Sequence, residues 1–477
     1  MAEPALWLYD PEQASYEGRL RITDPRDDSL VGEVPAATLG DLHDALREAR
    51  DAFPGWRAVA SADRGAALHG AADAVHQHES ELATLNLRET GKPYDEALAG
   101  VRAGVGTLRQ YAEYAPLHRG HSLNGSTGAV DFSRAEPRGV AVVLTPWNDP
   151  VAVACGLIGA AVAMGNTVVY KPSERCPHTG GLLGDLLAAA LPSGVVHTVI
   201  GAARTGAALI DGTGIDIVAH VGSSTTGEAI ARLVAGTTAH VIRENGGNDA
   251  LIVDSDVDPV WAAEQAATGA YANSGQICTS VERIYVHRSI AEAFTTALVR
   301  KAIELNASGA LAPLVDDELR DIVNRQVESA VADGAVARAG GAIPSGQGAY
   351  YPATVLTGCT SGMQVMREET FGPIAPIQVA ADFADAIRLA CSDRYGLAAS
   401  VLTGSLEHAL LAAERLPVGT VKVNGVFGGA PGGSAQPRGD SGDGFGYGPA
   451  LLDEMSTTKV VHIQPGLTWQ ADSGDIT

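Results

Sequence analysis

Three residues of this 477-residue chain have the types and settings that covalent chemistry needs. Cys278 lies in Asn273-Ser274-Gly275-Gln276-Ile277-Cys278-Thr279, behind a Gly-Gln turn and among small polar residues. That is the setting of a nucleophile more than of core filling. Glu244 stands 34 residues upstream (278 − 244), in Arg243-Glu244-Asn245-Gly246-Gly247-Asn248. Asn148 stands in Thr145-Pro146-Trp147-Asn148-Asp149-Pro150. A thiol attacks an electrophilic carbon, a carboxylate moves a proton, and an amide N–H stabilises negative charge growing on oxygen. Each residue alone also has a plainer reading: a small buried cysteine such as Cys155, an exposed loop carboxylate, a turn asparagine.

The elements that must position these groups alternate along the chain. Apolar residues recur at helical spacing from Leu42 to Phe53, and a second helical pattern runs from Asp63 to Glu89. After Pro137-Arg138-Gly139, short apolar runs (Val140 to Leu144, Thr167 to Tyr170, Val195 to Ile200, Ile215 to His220) alternate with helical stretches. This predicts an α/β fold with a doubly wound, mostly parallel sheet. The alternation resumes with Ala250 to Val253, Ile284 to Val286, Ile374 to Val379, Ala399 to Leu402 and Val421 to Val423, which predicts a second α/β domain carrying Cys278. The polar segment Leu117 to Arg134 reads as a β-hairpin and Thr457 to Ile463 as a strand. Exposed strands at both places need partners, which points to an intersubunit sheet. The stretch Gly428 to Gly448 reads as a mobile glycine-rich loop.

Two segments suit a nucleotide. Val221-Gly222-Ser223-Ser224-Thr225-Thr226-Gly227-Glu228 closes a strand and opens a helix, whose first N–H groups can hold a pyrophosphate. Glu228 stands where a phosphate-binding loop requires lysine, and Gly-x-Gly-x-x-Gly is absent, so the segment serves equally as a plain helix cap. Lys171, in Lys171-Pro172-Ser173-Glu174, ends a predicted strand, where open α/β sheets bind ligands. Glu174 can accept hydrogen bonds from a ribose diol and would repel a 2′-phosphate.

Composition narrows the partners. The net charge is 33 − 56 = −23, without a basic run, which argues against nucleic acid and anionic membranes. Five scattered cysteines without a Cys-x-x-Cys pair fit a reducing compartment. With no basic region followed by an apolar core at the start, a cytoplasmic location is expected. The 13 histidines show no metal-ligand spacing, and no metal is expected.

Taken together, these motifs resemble the aldehyde dehydrogenase superfamily. The likeness runs from Gly55-Trp56-Arg57 and Glu89-Thr90-Gly91-Lys92-Pro93 to Thr458-Lys459, with Pro146-Trp147-Asn148, Gly222-Ser223, Gly275-Gln276-Ile277-Cys278 and Glu369-Thr370-Phe371-Gly372-Pro373 in order between. The resemblance implies an NAD(P)-dependent, non-acylating enzyme. Its Cys278 would form a thiohemiacetal and then a thioester, Asn148 would hold the oxyanion, and Glu244 would activate water for hydrolysis. It further implies that Lys171 and Glu174 hold the adenosine ribose and that Gly222 and Ser223 hold the pyrophosphate. Glu369 would take the nicotinamide ribose, with Trp147 and Phe371 beside the cofactor. Glu174 favours NAD; Lys171 and Arg175 leave NADP open. The substrate tunnel is expected along Asp149, Val153, Gly156, Ile277, Thr279 and Phe427, and a small-molecule aldehyde is the partner.

The expected organisation is a Rossmann-like cofactor domain from residues 1–118 and 138–246, a catalytic domain from 247–445, and small β elements at 119–137 and 456–466 that build a homodimer or homotetramer. Departures from the family pattern are Asn245, where leucine is usual, and Pro431-Gly432-Gly433, where many members place an aromatic. With Gly156, the missing aromatic suggests a roomier tunnel. A CoA-acylating enzyme of the same fold is the nearest rival, disfavoured by a water-activating Glu244. A retired, non-catalytic family member is disfavoured by all three reactive residues.

Overall fold

The computed structural model describes residues 18–212, 214–429 and 433–466; Pro431 and Gly432 lie outside the described residues. Two large sheets and one small one organise the chain. The first sheet has six strands, in spatial order Gly442–Asp443, His240–Glu244, Ile217–Val221, Val140–Leu144, Thr167–Lys171 and Val196–Thr198. All pair in parallel except Gly442–Asp443, which runs antiparallel with Gly442 opposite Glu244. Helices cover both faces, so the central strand Val140–Leu144 is an unbroken apolar run, buried throughout. Each valine so buried contributes about 1.5–3 kcal/mol relative to exposure.

From Val140–Leu144 the chain builds outward through Thr167–Lys171 to Val196–Thr198, then returns to the other side with Ile217–Val221. The order therefore reverses between Val140–Leu144 and Ile217–Val221, the point at which open sheets of this kind bind ligands beyond the carboxyl ends of their strands. The helix Pro150–Met164 springs from this point. Proline at its first position needs no N–H donor, and Gly165 in a left-handed conformation (φ 92°) ends it.

The second sheet has seven strands: Val336–Ala339, Thr354–Thr357, Ile374–Ala380, Val281–His287, Asp249–Val253, Ala398–Leu402 and Thr420–Val423. All are parallel but the first, and an apolar core lies on each face. The third sheet joins Ser456–Ile463 to Val130–Pro137, antiparallel from Ser456 opposite Pro137 to Ile463 opposite Val130, with Ser122–Leu123 on the other side. The two segments expected to lack partners thus pair with each other inside the chain. Among the described residues, no helix is long and apolar enough to cross a membrane.

Three expectations change. The pattern from Asp63 to Glu89 is two helices, Ser61–Gln77 and Glu79–Thr90, broken at His78. The stretch Gly428 to Gly448 is not simply a loop: Arg438–Gly439 pairs with Tyr395–Gly396, and Gly442–Asp443 joins the first sheet. Residues 442–443, expected in the catalytic domain, therefore hydrogen-bond to the first sheet. Leu451, Leu452 and Met455 also pack into the core beside it.

Candidate active site

Cys278 sits between the helix Pro259–Tyr271 and the strand Val281–His287, at the end of a turn with unusual backbone. Asn273, Ser274 and Gly275 take consecutive left-handed conformations (φ 46°, 54° and 76°). Asparagine and glycine tolerate this region best, and a Cβ at Gly275 would run into the Gly372 carbonyl. Such backbone persists only when its surroundings fix it. Gln276 does so: buried, it donates from Nε2 to the Asn273 carbonyl at 2.9 Å, while its Oε1 accepts from the Val315 N–H at 2.9 Å. Ser274 Oγ donates to the Ala312 carbonyl at 2.6 Å.

Asn148 follows the central strand of the first sheet and reaches the same turn. Its Nδ2 donates to the Gln276 carbonyl at 3.1 Å, leaving the second amide hydrogen available. Lys92 holds this loop from behind, with Nζ 3.2 Å from the Asn148 carbonyl and 3.4 Å from Asp149 Oδ1. Asp149 was expected to line the tunnel, but its carboxylate turns toward Lys92 and against Gly100.

Glu244 ends the strand His240–Glu244. Burial lifts its carboxyl to about 7, opposed by a backbone hydrogen bond from Gly446. Gly446 lies so close that any Cβ there would collide with the carboxylate. The next residue, Asn245, holds that crossing chain: its N–H donates to the Ser441 carbonyl and its Nδ2 to the Asp440 carbonyl, each at 2.9 Å. A leucine could not make the second bond.

The two glycines after Asn245 bring Glu369 and the Cys278 backbone together. Gly247 N–H donates to Glu369 Oε1 at 3.0 Å, and a Cβ on Gly246 would collide with Glu369. A Cβ on Gly247 would lie 2.6 Å from the Cys278 carbonyl oxygen. Burial pushes the Cys278 thiol up to about 12, reinforced by Glu244, Asp249 and Glu369 and opposed by Lys422. The resting group is a thiol, so attack requires that a proton be taken from it. Burial raises Glu369 well above the usual carboxylate range, with Glu282 adding to it. Glu282, also buried, accepts the N–H groups of Thr370 at 3.1 Å and Phe371 at 3.0 Å, fixing Phe371 at φ 53°. The Phe371 ring meets Trp147 edge to face at 5.6 Å.

The residues expected to face a nucleotide lie beyond the carboxyl ends of strands in the first sheet. Lys171 ends its strand buried, donating to the Pro172 and Gly201 carbonyls at 2.7 Å, with Glu174 at 3.7 Å and exposed. Ser223 caps the helix Ser224–Val234, its Oγ accepting from the Thr226 N–H at 3.3 Å. Arg175 pairs with Asp316 at 2.7 Å and lies over Trp147 at 5.6 Å.

Sequence reasoning gave no role to Lys92, Gly446, His220 or Lys422. His220, two residues before Gly222, is buried, and burial depresses its imidazole to about 4. A Cβ on Gly222 would lie 2.6 Å from its ring, so glycine is what fits at that turn. Only Lys92 had a signal, its place in the Gly91-Lys92-Pro93 segment.

Along the expected tunnel, Ile277 and Thr279 flank the thiol half-buried, and Val153 is half-buried against the first core. Gly156 is buried, yet beyond the backbone of its own helix a Cβ there would meet no heavy atom within 4 Å. Phe427 is partly exposed, its ring 5.6 Å from Lys422 Nζ.

Comparison with known proteins gives the family and the fold. A model of the aldehyde dehydrogenase family matches residues 12–461. Benzaldehyde dehydrogenase [NAD(+)] of Pseudomonas putida is 32% identical over 461 residues, covering 93% of this chain and 92% of that protein. A variant of aldehyde dehydrogenase from Bacillus cereus superposes with a TM-score of 0.90 at 31% identity, over 94% of this chain and 93% of that one. Betaine aldehyde dehydrogenase from Staphylococcus aureus, solved in complex with NAD+, superposes with a TM-score of 0.91 at 28% identity, over 96% and 95%.

Proposed function

The chain belongs to the aldehyde dehydrogenase family, and from that premise we propose that it oxidises an aldehyde to the carboxylic acid with NAD, through a thioester on Cys278. The observation that carries this reading is the meeting of Cys278, Asn148 and Glu369 around Gln276 and Gly247, with Glu244 in electrostatic reach of the thiol.

Cys278, relieved of its proton, adds to the aldehyde carbon, and a C–S bond forms as the carbonyl electrons move to oxygen. The free N–H of Asn148 and the Cys278 backbone N–H receive that oxyanion, without reorganisation at the moment of charge development. NAD held beside this carbon would supply the acceptor for the hydride that leaves it as the oxyanion re-forms the carbonyl, which leaves the thioester on Cys278. Glu244, raised to about 7, is suited to take a proton from water near neutrality. Hydroxide equivalent adds, the C–S bond breaks, and the acid leaves with the thiol restored.

The residues present fit NAD. Lys171 and Glu174 would hold the adenosine ribose, Gly222 and Ser223 the pyrophosphate, and Glu369 the nicotinamide ribose, with Trp147 and Phe371 packing beside the ring. Glu174 is exposed three residues beyond the strand Thr167–Lys171 and would repel a 2′-phosphate, while Arg175 is committed to Asp316. The Staphylococcus aureus relative solved with NAD+ and the NAD-dependent Pseudomonas putida relative support the same choice. Open space beside Gly156 and the latter's substrate favour bulky aldehydes, benzaldehyde first among them. A homo-oligomer built on the three-stranded sheet accords with its exposed Val130, Val460 and Ile463.

The test is absorbance at 340 nm with NAD and a panel of aromatic and aliphatic aldehydes, without CoA. Steady NADH formation is expected, with kcat/KM higher for NAD than NADP. A strict requirement for CoA would reject hydrolysis, and preference for NADP would reject the role given to Glu174.

A further inference from the structure

Lys422 stands in the middle of a strand, between two valines. Thr420–Val423 is the edge strand of the seven-stranded sheet, with Lys422 in register with Ser400 and Ser400 in register with Leu251. Residues in register project from one face, and so do residues two apart along a strand. Lys422 therefore leaves the sheet on the face that carries Asp249, while Val421 packs into the core opposite. Its ammonium is half-buried and its close partners among the described residues are neutral. Nζ donates to the Val426 carbonyl at 2.8 Å and lies 5.6 Å from the centre of the Phe427 ring. Keeping a lysine head in such a place costs free energy unless a negative charge answers it.

Gly247 ties this face to the backbone of the residue that carries the thiol. A Cβ there would lie 2.6 Å from the Cys278 carbonyl oxygen and 2.8 Å from Asp249 Oδ1. Asp249 Oδ1 accepts the Ala398 N–H at 3.0 Å, and Oδ2 is buried without a hydrogen-bond partner. Glu244, Asp249 and Glu369 all oppose ionisation of Cys278, and Lys422 favours it. The Lys422 ammonium in turn responds to Asp249 and Cys278. Of the other charged groups here, Arg283 acts on Asp249 but is paired with Asp393 at 3.0 Å, and Glu282 adds to the burden on Asp249. Tyr447 contacts Thr420 and feels Glu244 and Cys278.

We propose that the Lys422 ammonium is the countercharge under which the Cys278 thiolate forms, a positioning residue for the nucleophile. This rests on the reading of Cys278 given above. Asp249 competes for the same ammonium. An opposite charge near an ionising group typically shifts it by about 1–3 units, and a shared one should deliver about one.

The experiment is the pH dependence of Cys278 alkylation by iodoacetamide in the full-length enzyme, followed at the Cys278 peptide by mass spectrometry. The thiolate displaces iodide, its proton having gone to buffer, so the rate reports the thiolate fraction. Lys422→Met and Lys422→Gln should move the profile up by about one pH unit, a roughly tenfold slower reaction below the midpoint. Lys422→Arg, which keeps the charge, should follow the wild type. Superimposable profiles for wild type and both neutral variants would overturn the proposal while leaving Cys278 as nucleophile. Full NADH formation after complete alkylation of Cys278 would instead overturn the nucleophile itself.

Discussion

The α-carbon of Gly446 lies against the carboxylate of Glu244, with no room for a side chain between them. The contact joins the late segment 440–446 to the end of the strand His240–Glu244, and Asn245 secures it through the Asp440 and Ser441 carbonyls. A methyl at position 446 must displace the carboxylate. Gly446→Ala should therefore keep a stoichiometric burst of NADH but slow later turnovers about 10²-fold, the order expected for a misplaced catalytic group. Rapid-mixing absorbance separates the two phases.

Glu244 also sets a pH dependence. Burial raises its carboxyl to about 7. Below that value it is protonated and cannot accept a proton from water; above it the carboxylate is present. The rate of thioester hydrolysis should climb with pH through about 7 and then level off. Glu244→Gln should abolish that rise and lower the hydrolytic rate roughly 10²–10⁴-fold. Single-turnover measurements on either side of neutrality check both.

Asn148 is held toward Gln276 by its own Nδ2 and from behind by Lys92. Removing one oxyanion donor typically costs roughly 10²–10³ in turnover. Asn148→Ala should lose that much in kcat with a smaller change in NAD affinity, measured by cofactor fluorescence. Near-wild-type kcat would reject the oxyanion role.

The open space at Gly156 bears on substrate size. Gly156→Trp should lower kcat/KM for benzaldehyde at least tenfold more than for acetaldehyde, since an overfilled pocket costs about 1–3 kcal/mol. Equal losses for both would mean that the space is not part of the tunnel.

The sequence made the alternating strands legible because a sheet covered on both faces leaves apolar runs such as Val140–Leu144. Cys278, Glu244 and Asn148 stood out as candidates because glycine or proline lies within three residues of each. Other features depended on chain crossings that no local pattern encodes. Asp63 to Glu89 looked continuous because apolar spacing carries across the break at His78. Gly428 to Gly448 looked mobile because glycine signals freedom as readily as it signals close approach. Gly446 is there for the second reason, beside a carboxylate two hundred positions earlier in the numbering. Lys422 was hidden inside a strand pattern, where its flanking valines spoke only for burial. The ion pair of Asp149 with Lys92 was hidden as well, since the two lie far apart in the sequence.

The central claim is a covalent thioester on Cys278 that Glu244 serves to hydrolyse. Intact-mass and peptide mass spectrometry of Glu244→Gln, mixed with NAD and benzaldehyde and quenched in acid, test it directly. The account predicts a benzoyl mass increment on the Cys278 peptide, together with about one equivalent of NADH, and neither in Glu244→Gln that also carries Cys278→Ala. An unmodified Cys278 alongside undiminished turnover in the Cys278→Ala enzyme would contradict it.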